Sequence, residues 1–272
     1  VSQLKSIINY GWLLMAVSWA PSAFANPRPL PFTYPYETLD EGALEVELYG
    51  DATPLRPLLD HNDPTGPRIW EPAYLLQNEI EYGVSNRIEL GFYQVFEAQP
   101  VDGGTNSMVF DGFKWRMRTR LAEAGEWPID VGLYLELETM HDELSLEEKV
   151  ILAKRLQRWH LMANLWVEET ERRPLDGPGQ RSFHFVVNPT GGFVYQVTPV
   201  FQPGIEYWAR GEFGTNDVND RIHHFLGPTV HLDFGKLWWS LGVYAHLSDL
   251  GVPQVDSIYG PVWARSVLGV NL

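Results

Sequence analysis

The sequence predicts an all-β protein, an antiparallel transmembrane β-barrel of about 12 strands with short periplasmic turns and longer extracellular loops. Three observations carry that expectation. Residues 113–121 read FKWRMRTRL, which puts Lys114, Arg116, Arg118 and Arg120 at every second position. Only a strand sorts such a run into one cationic and one mostly apolar face, because successive side chains point to opposite sides. Segments with this two-residue period recur after Pro31, joined by alternately short and long connections. Beyond the N-terminal region no stretch approaches the roughly 18 uninterrupted apolar residues of a membrane-spanning helix.

The N-terminus is read separately. Lys5 is followed by the apolar run INYGWLLMAVSWA and then by PSAFA, where Ala23 and Ala25 form an A-x-A site. This is the layout of a secretory signal peptide over residues 1–25, cleaved before Asn26. Residues 26–272 form one barrel domain, since no linker, composition shift or solenoid-length repeat divides them. There is no cysteine, so the fold relies on no disulfide. The 35 acidic residues outnumber the 20 Lys and Arg, for a net charge of −15. That balance argues against nucleic acid as a partner, because phosphates call for a cationic surface.

The strands are justified by their alternation. Leu44, Val46 and Leu48 share a face opposite Glu45, Glu47 and Tyr49. Ile80, Tyr82 and Val84 stand opposite Glu79 and Glu81, and Ile88, Leu90, Phe92 and Phe96 opposite Glu89, Tyr93 and Glu97. Leu133, Leu135 and Leu137 alternate with Tyr134, Glu136 and Glu138. The expected strands are 41–52, 74–84, 87–97, 108–122, 127–139, 144–156, 159–172, 183–197, 200–213, 221–234, 237–248 and 260–272. Short turns near Ser85-Asn86, Ala124-Gly125, Gln157-Arg158, Thr198-Pro199 and Gly235-Lys236 fall at one end. Longer loops, at 53–70, 98–107, 173–182, 214–220 and 249–259, fall at the other. Trp70, Trp127, Trp159, Trp238, Trp239 and Trp263 sit near strand ends, where an interfacial girdle is expected.

Cations facing lipid at mid-membrane would cost roughly 2–4 kcal/mol each, so the 113–121 ladder must face the lumen. A hairpin closing at Ala124-Gly125 sets Arg120 opposite Asp130 and Lys114 opposite Glu136. The expected charged wall therefore comprises Lys114, Arg116, Arg118, Arg120, Glu89, Asp130, Glu136 and Glu138. Two roles stay open for it. The charges fill and lock a narrow lumen, or they set up a transverse field that orients a small polar or anionic solute.

Other chemistry is weaker. His223, His231 and His246 point inward, and His223 and His246 with Asp249 could approach a transition metal, although no short ligand spacing supports one. Asp60, Asn62 and Asp63 in DHNDPTG offer calcium-type oxygens, but suit a turn. Ser240 falls opposite His231, with Asp233 two residues on, which is the residue set of a lipid hydrolase or deacylase. No G-x-S-x-G elbow accompanies it. A barrel with a purely structural role is the other alternative. No cofactor, metal or catalytic residue is assigned.

FTYPYETLDEGALEVELY, YGVSNRIELGFY and LGPTVHLDFGKLWWSLGV resemble segments of the poorly characterised transporter-like outer-membrane barrels, which include the phenol-degradation MetA-type group. The final strand, up to Leu272, is similar to the terminal signal read by the outer-membrane assembly machinery. The resemblance implies a bacterial outer-membrane location and a channel or transporter-like role for small solutes. The partners it implies are that machinery, outer-membrane lipid and lipopolysaccharide.

Overall fold

In the computed structural model, residues 27–58, 69–101, 105–172, 181–214, 222–247 and 260–272 are described. The expected signal peptide lies outside these residues, as do Asp60, Asn62, Asp63 and Asp249. The strands are β1 (Leu44–Leu58), β2 (Ile69–Ser85), β3 (Ile88–Val101), β4 (Thr105–Arg120), β5 (Asp130–Met140) and β6 (Glu143–Leu156). They continue as β7 (Trp159–Arg172), β8 (Ser182–Val187), β9 (Thr190–Tyr195), β10 (Phe201–Gly214), β11 (Ile222–Asp233), β12 (Leu237–His246) and β13 (Val262–Asn271). Each pairs antiparallel with its neighbours, and β13 pairs with β1, so the sheet closes.

The count of 13 segments reduces to a 12-strand barrel, because β8 and β9 are two halves of one strand. Both pair with β7 and β10 in an unbroken register, Val167↔Val187 continuing as Asn164↔Thr190. The ladder lapses at Asn188-Pro189 since proline has no N–H to contribute.

The alternation resolves as the sequence reading requires. Leu133, Leu135 and Leu137 are exposed, as are Phe113, Trp115 and Met117, while the intervening charged residues turn inward. An exposed apolar belt of this extent is stable only against lipid. Trp127 and Trp159 are exposed near strand ends, in keeping with a girdle. Trp238 and Trp263 correct that expectation. Trp238 is fully buried and its Nε1 donates to Glu45 at 2.5 Å, while Trp263 packs against the buried ring cluster inside the barrel.

The largest departure concerns residues 27–43, which the alternation left unassigned. They form a re-entrant segment that enters the lumen from the short-turn end and returns to start β1. Leu30, Phe32, Tyr34, Tyr36 and Leu39 are all buried there. Prolines 27, 29, 31 and 35 withhold the donors a ladder would need, so the segment cannot extend the sheet. Wall side chains supply its hydrogen bonds instead. Glu206 Oε1 accepts from the Phe32 and Thr33 amides at 3.0 and 2.6 Å. The Tyr34 amide donates to Asn164 Oδ1 at 2.7 Å, and the Asn164 amide returns a bond to the Tyr34 carbonyl at 3.2 Å. Near the rim the Leu39 amide donates to Glu89 at 2.8 Å.

Candidate functional site: a plugged, charged lumen

The lumen wall has two halves. Strands β1 to β6 present mainly charge, and β6 to β12 present Ile151, Ala153, Met162, Val194, Trp208 and Phe225. The segment is amphipathic in the matching sense. Leu30 and Tyr36 join the aliphatic cluster around Ile151, and Phe32 stacks on Trp208 with ring centres 4.4 Å apart. On the charged side, cations cap its rings: Arg265 lies 3.8 Å from the centre of Phe32, Arg28 3.6 Å and Lys149 4.2 Å from that of Tyr34. Cations over aromatic faces are attracted more strongly when desolvated, as here.

Arg116 is the hub of the charged half. Its Nε donates to Glu79 and its Nη1 to Glu89, each at 2.6 Å, and its Nη2 binds Glu81. Arg118 Nη2 donates to both oxygens of Glu89 at 2.8 and 3.0 Å, and its Nη1 reaches the Pro35 carbonyl at 3.3 Å. Lys114 pairs with Glu138 at 2.6 Å and more loosely with Glu136 at 3.6 Å. Arg116 is 3 % and Arg118 2 % exposed, which makes this part of the ladder packed interior rather than solvated lining.

The expected hairpin register is corrected. Lys114 pairs across from Glu138, Arg116 from Glu136 and Arg120 from Gly132, two residues away from the expected alignment. The wide 121–129 connection lets the pairing slide, which a two-residue turn would not allow. Asp130 accordingly does not meet Arg120; it accepts from the Gly125 amide at 2.6 Å and shapes the turn. Arg120 instead binds the Asn86 carbonyl and approaches Glu123 at 3.4 Å. Glu79 and Glu81 were missed as partners of Arg116. Glu79 and Glu81 belong to β2, one strand beyond the neighbour of Arg116, and only their inward alternation hinted at them.

Glu47, Glu79 and Glu81 are, among the described residues, the one group placing three metal-type ligand atoms within 4.8 Å of one another. Glu79 and Glu81 bind the Arg116 guanidinium there, and Glu47 accepts from the Tyr49 hydroxyl. His223 Nδ1 and His246 Nε2 stand 2.9 Å apart, a hydrogen-bond distance.

The Ser240 and His231 pair does form, Oγ to Nδ1 at 2.8 Å, but Ser240 donates its only proton to the Arg28 carbonyl at 2.5 Å. His231 must then donate through Nδ1, the reverse of what a general base for Ser240 would do. Asp233 does not complete the trio, since its Oδ1 accepts from the Gly235 amide at 2.7 Å.

Three cavities mark the axis. One of about 380 Å³ at the long-loop end is lined by Gln77, Glu97, Asp111, Lys114, Glu138 and Glu143, among others. It shares Gln77 and Lys114 with a throat of about 70 Å³ bounded by Arg28, Phe32 and Tyr34. Beneath the segment, at the short-turn end, lies a third of about 500 Å³. Glu37, on the segment, borders it. Burial opposes ionisation of Glu37, yet His160 and Arg155 beside it hold its carboxyl below the ordinary range.

No family model matches this chain, and no curated protein does. Solved structures with the same fold do exist. An outer membrane channel from Pseudomonas putida F1 superposes with a TM-score of 0.59 at 13% identity, over 87% of this chain and 98% of that one. The NanC porin superposes with a TM-score of 0.55 at 9% identity, over 83% of this chain and 98% of its own. The chain has the fold of an outer-membrane β-barrel.

Proposed function

We propose that this protein is an outer-membrane channel for small solutes whose resting lumen is closed by the re-entrant segment 27–43. The observation that carries the reading is the segment's position across the axis, between a cavity of about 500 Å³ on one side and a throat of about 70 Å³ on the other. Side chains, not a backbone ladder, hold it there, so it can leave without unzipping the barrel. The two solved neighbours are described as a channel and a porin, which agrees with this use of the fold. This set of lining groups suits small solutes with a polar end and a ring. Charged side chains dominate one half of the wall, and the other carries aliphatic groups with the rings of Trp208 and Phe225. The likeness to barrels associated with aromatic-compound degradation agrees with the second half.

Purified protein in planar bilayers tests the proposal. A barrel lacking residues 29–37 should conduct well above the level of the parent. Equal conductance, with the shortened barrel folded, would favour a sealed barrel with a structural role.

A further inference from the structure

Arg28 is the cation that the re-entrant segment carries into the lumen, and wall groups build its seat. It is 3 % exposed, its Nη1 donates to the Tyr49 hydroxyl at 3.0 Å, and its Cζ lies 5.4 Å from the centre of the Tyr49 ring. The same hydroxyl stands 2.7 Å from Glu79 Oε2 and within hydrogen-bond reach of Glu47. Glu47, Glu79 and Glu81 bring carboxylate oxygens within 4.8 Å of one another. Arg116 binds two of them, Glu79 and Glu81. One guanidinium beside three carboxylates leaves a deficit of positive charge, and like charges this close repel strongly away from water. Arg28 is the second cation, and it arrives with the segment.

The cations bordering the throat are already matched to carboxylates of the wall. Lys114 pairs with Glu138 at 2.6 Å, Lys149 with Glu147 at 2.5 Å and Arg265 with Asp51 at 2.7 Å. Glu206 takes its hydrogen bonds from the Tyr244 hydroxyl and from the segment's own Phe32 and Thr33 amides. Withdrawal of the segment therefore takes one cation from the Tyr49 seat and two donors from Glu206. The wall it leaves behind is in excess of carboxylate.

We propose that the open lumen admits solutes bearing a guanidinium or an amine, that this group seats where Arg28 sits, and that the segment closes the channel by presenting Arg28 in its place. The inference rests on the channel reading and names its solute class. A guanidinium offers planar donors to hydroxyl and carboxylate oxygens and stacks on aromatic faces, and the Tyr49 seat supplies all three. An anionic solute would meet Glu47 and Glu79 with Arg28 gone. Charge held close to the permeating group sets selectivity.

Two measurements test the proposal, one of them independent of conduction. The Arg28→Ala protein is unfolded thermally in millimolar methylguanidinium, tetramethylammonium or sodium chloride at equal ionic strength. The substitution should lower the midpoint by about 4 °C, and methylguanidinium alone should restore most of the loss. Glu47→Gln in the same background should abolish that rescue. An unchanged midpoint in Arg28→Ala, or a loss that methylguanidinium does not reverse, overturns the proposal. In planar bilayers under a potassium chloride gradient, the barrel lacking residues 27–37 should pass potassium in preference to chloride. Millimolar agmatine, which carries a guanidinium and an amine, should reduce its current where benzoate does not. Chloride preference, or block by benzoate alone, defeats the solute class and leaves the channel reading standing. A folded shortened barrel that stays closed defeats the channel reading, and the solute class falls with it.

Discussion

Gly91 stands directly across from Arg116, and its missing side chain is the opening through which the guanidinium crosses β3 to reach Glu79. Gly91 pairs with Arg116 on one side and with Glu81 on the other. A Cβ built on Gly91 would fall on Glu79 Oε1 and Arg116 Nε. The residue is required for clearance, since its backbone is ordinary extended strand.

Gly91→Val should therefore destabilise the barrel by about 1–3 kcal/mol through overpacking alone, and by more if Arg116 is displaced. The temperature at which the folded form disappears on unboiled gels reports it. A midpoint matching the parent's would show that Arg116 reaches Glu79 by another route.

The double substitution Arg116→Ala with Arg118→Ala removes two cations from a dry cluster of Glu79, Glu81 and Glu89. Breaking buried pairs on one side strands the remaining charge, at a cost of about 3–5 kcal/mol. We expect a marked loss of heat resistance that added salt does not reproduce in the parent, because buried pairs are poorly screened. A wet, screened wall would instead leave the midpoint almost unmoved.

Phe32→Ala removes the ring that stacks on Trp208 and lies under Arg265. The segment should lose about 3–5 kcal/mol of its seating, while the strands keep their pairing. Single-channel recordings are expected to show more frequent openings with an unchanged gel shift. Openings that stay as rare as the parent's would argue against the segment as the gate.

Leu133 is 42 % exposed at the middle of the outer belt of β5. Leu133→Arg would put a cation against lipid, at about 2–4 kcal/mol near the midplane. Reduced assembly into outer membranes is the expected outcome. Normal yield would mean that this part of β5 does not face lipid.

The sequence by itself determined the barrel and which face of the strands it read meets lipid, but β1 to β4 run several residues further into the expected 53–70 and 98–107 loops than the alternation placed them. The 159–172 strand matches Trp159–Arg172, and the pairings of Ser240 with His231 and of His246 with Phe225 follow from the tight Gly235-Lys236 turn. These are local properties: a two-residue period and a short turn leave each side chain one choice of face and register. The β4–β5 register escaped because the nine residues between the strands do not bind it. Only the tertiary structure decided what fills the lumen. Arg116 finds Glu79 across an intervening strand, and the proline-rich segment finds Glu206 and Asn164 more than a hundred residues away. Such contacts have no periodicity to read, because they exist only once closure of the sheet has created an inside where unpaired backbone and charge must be satisfied.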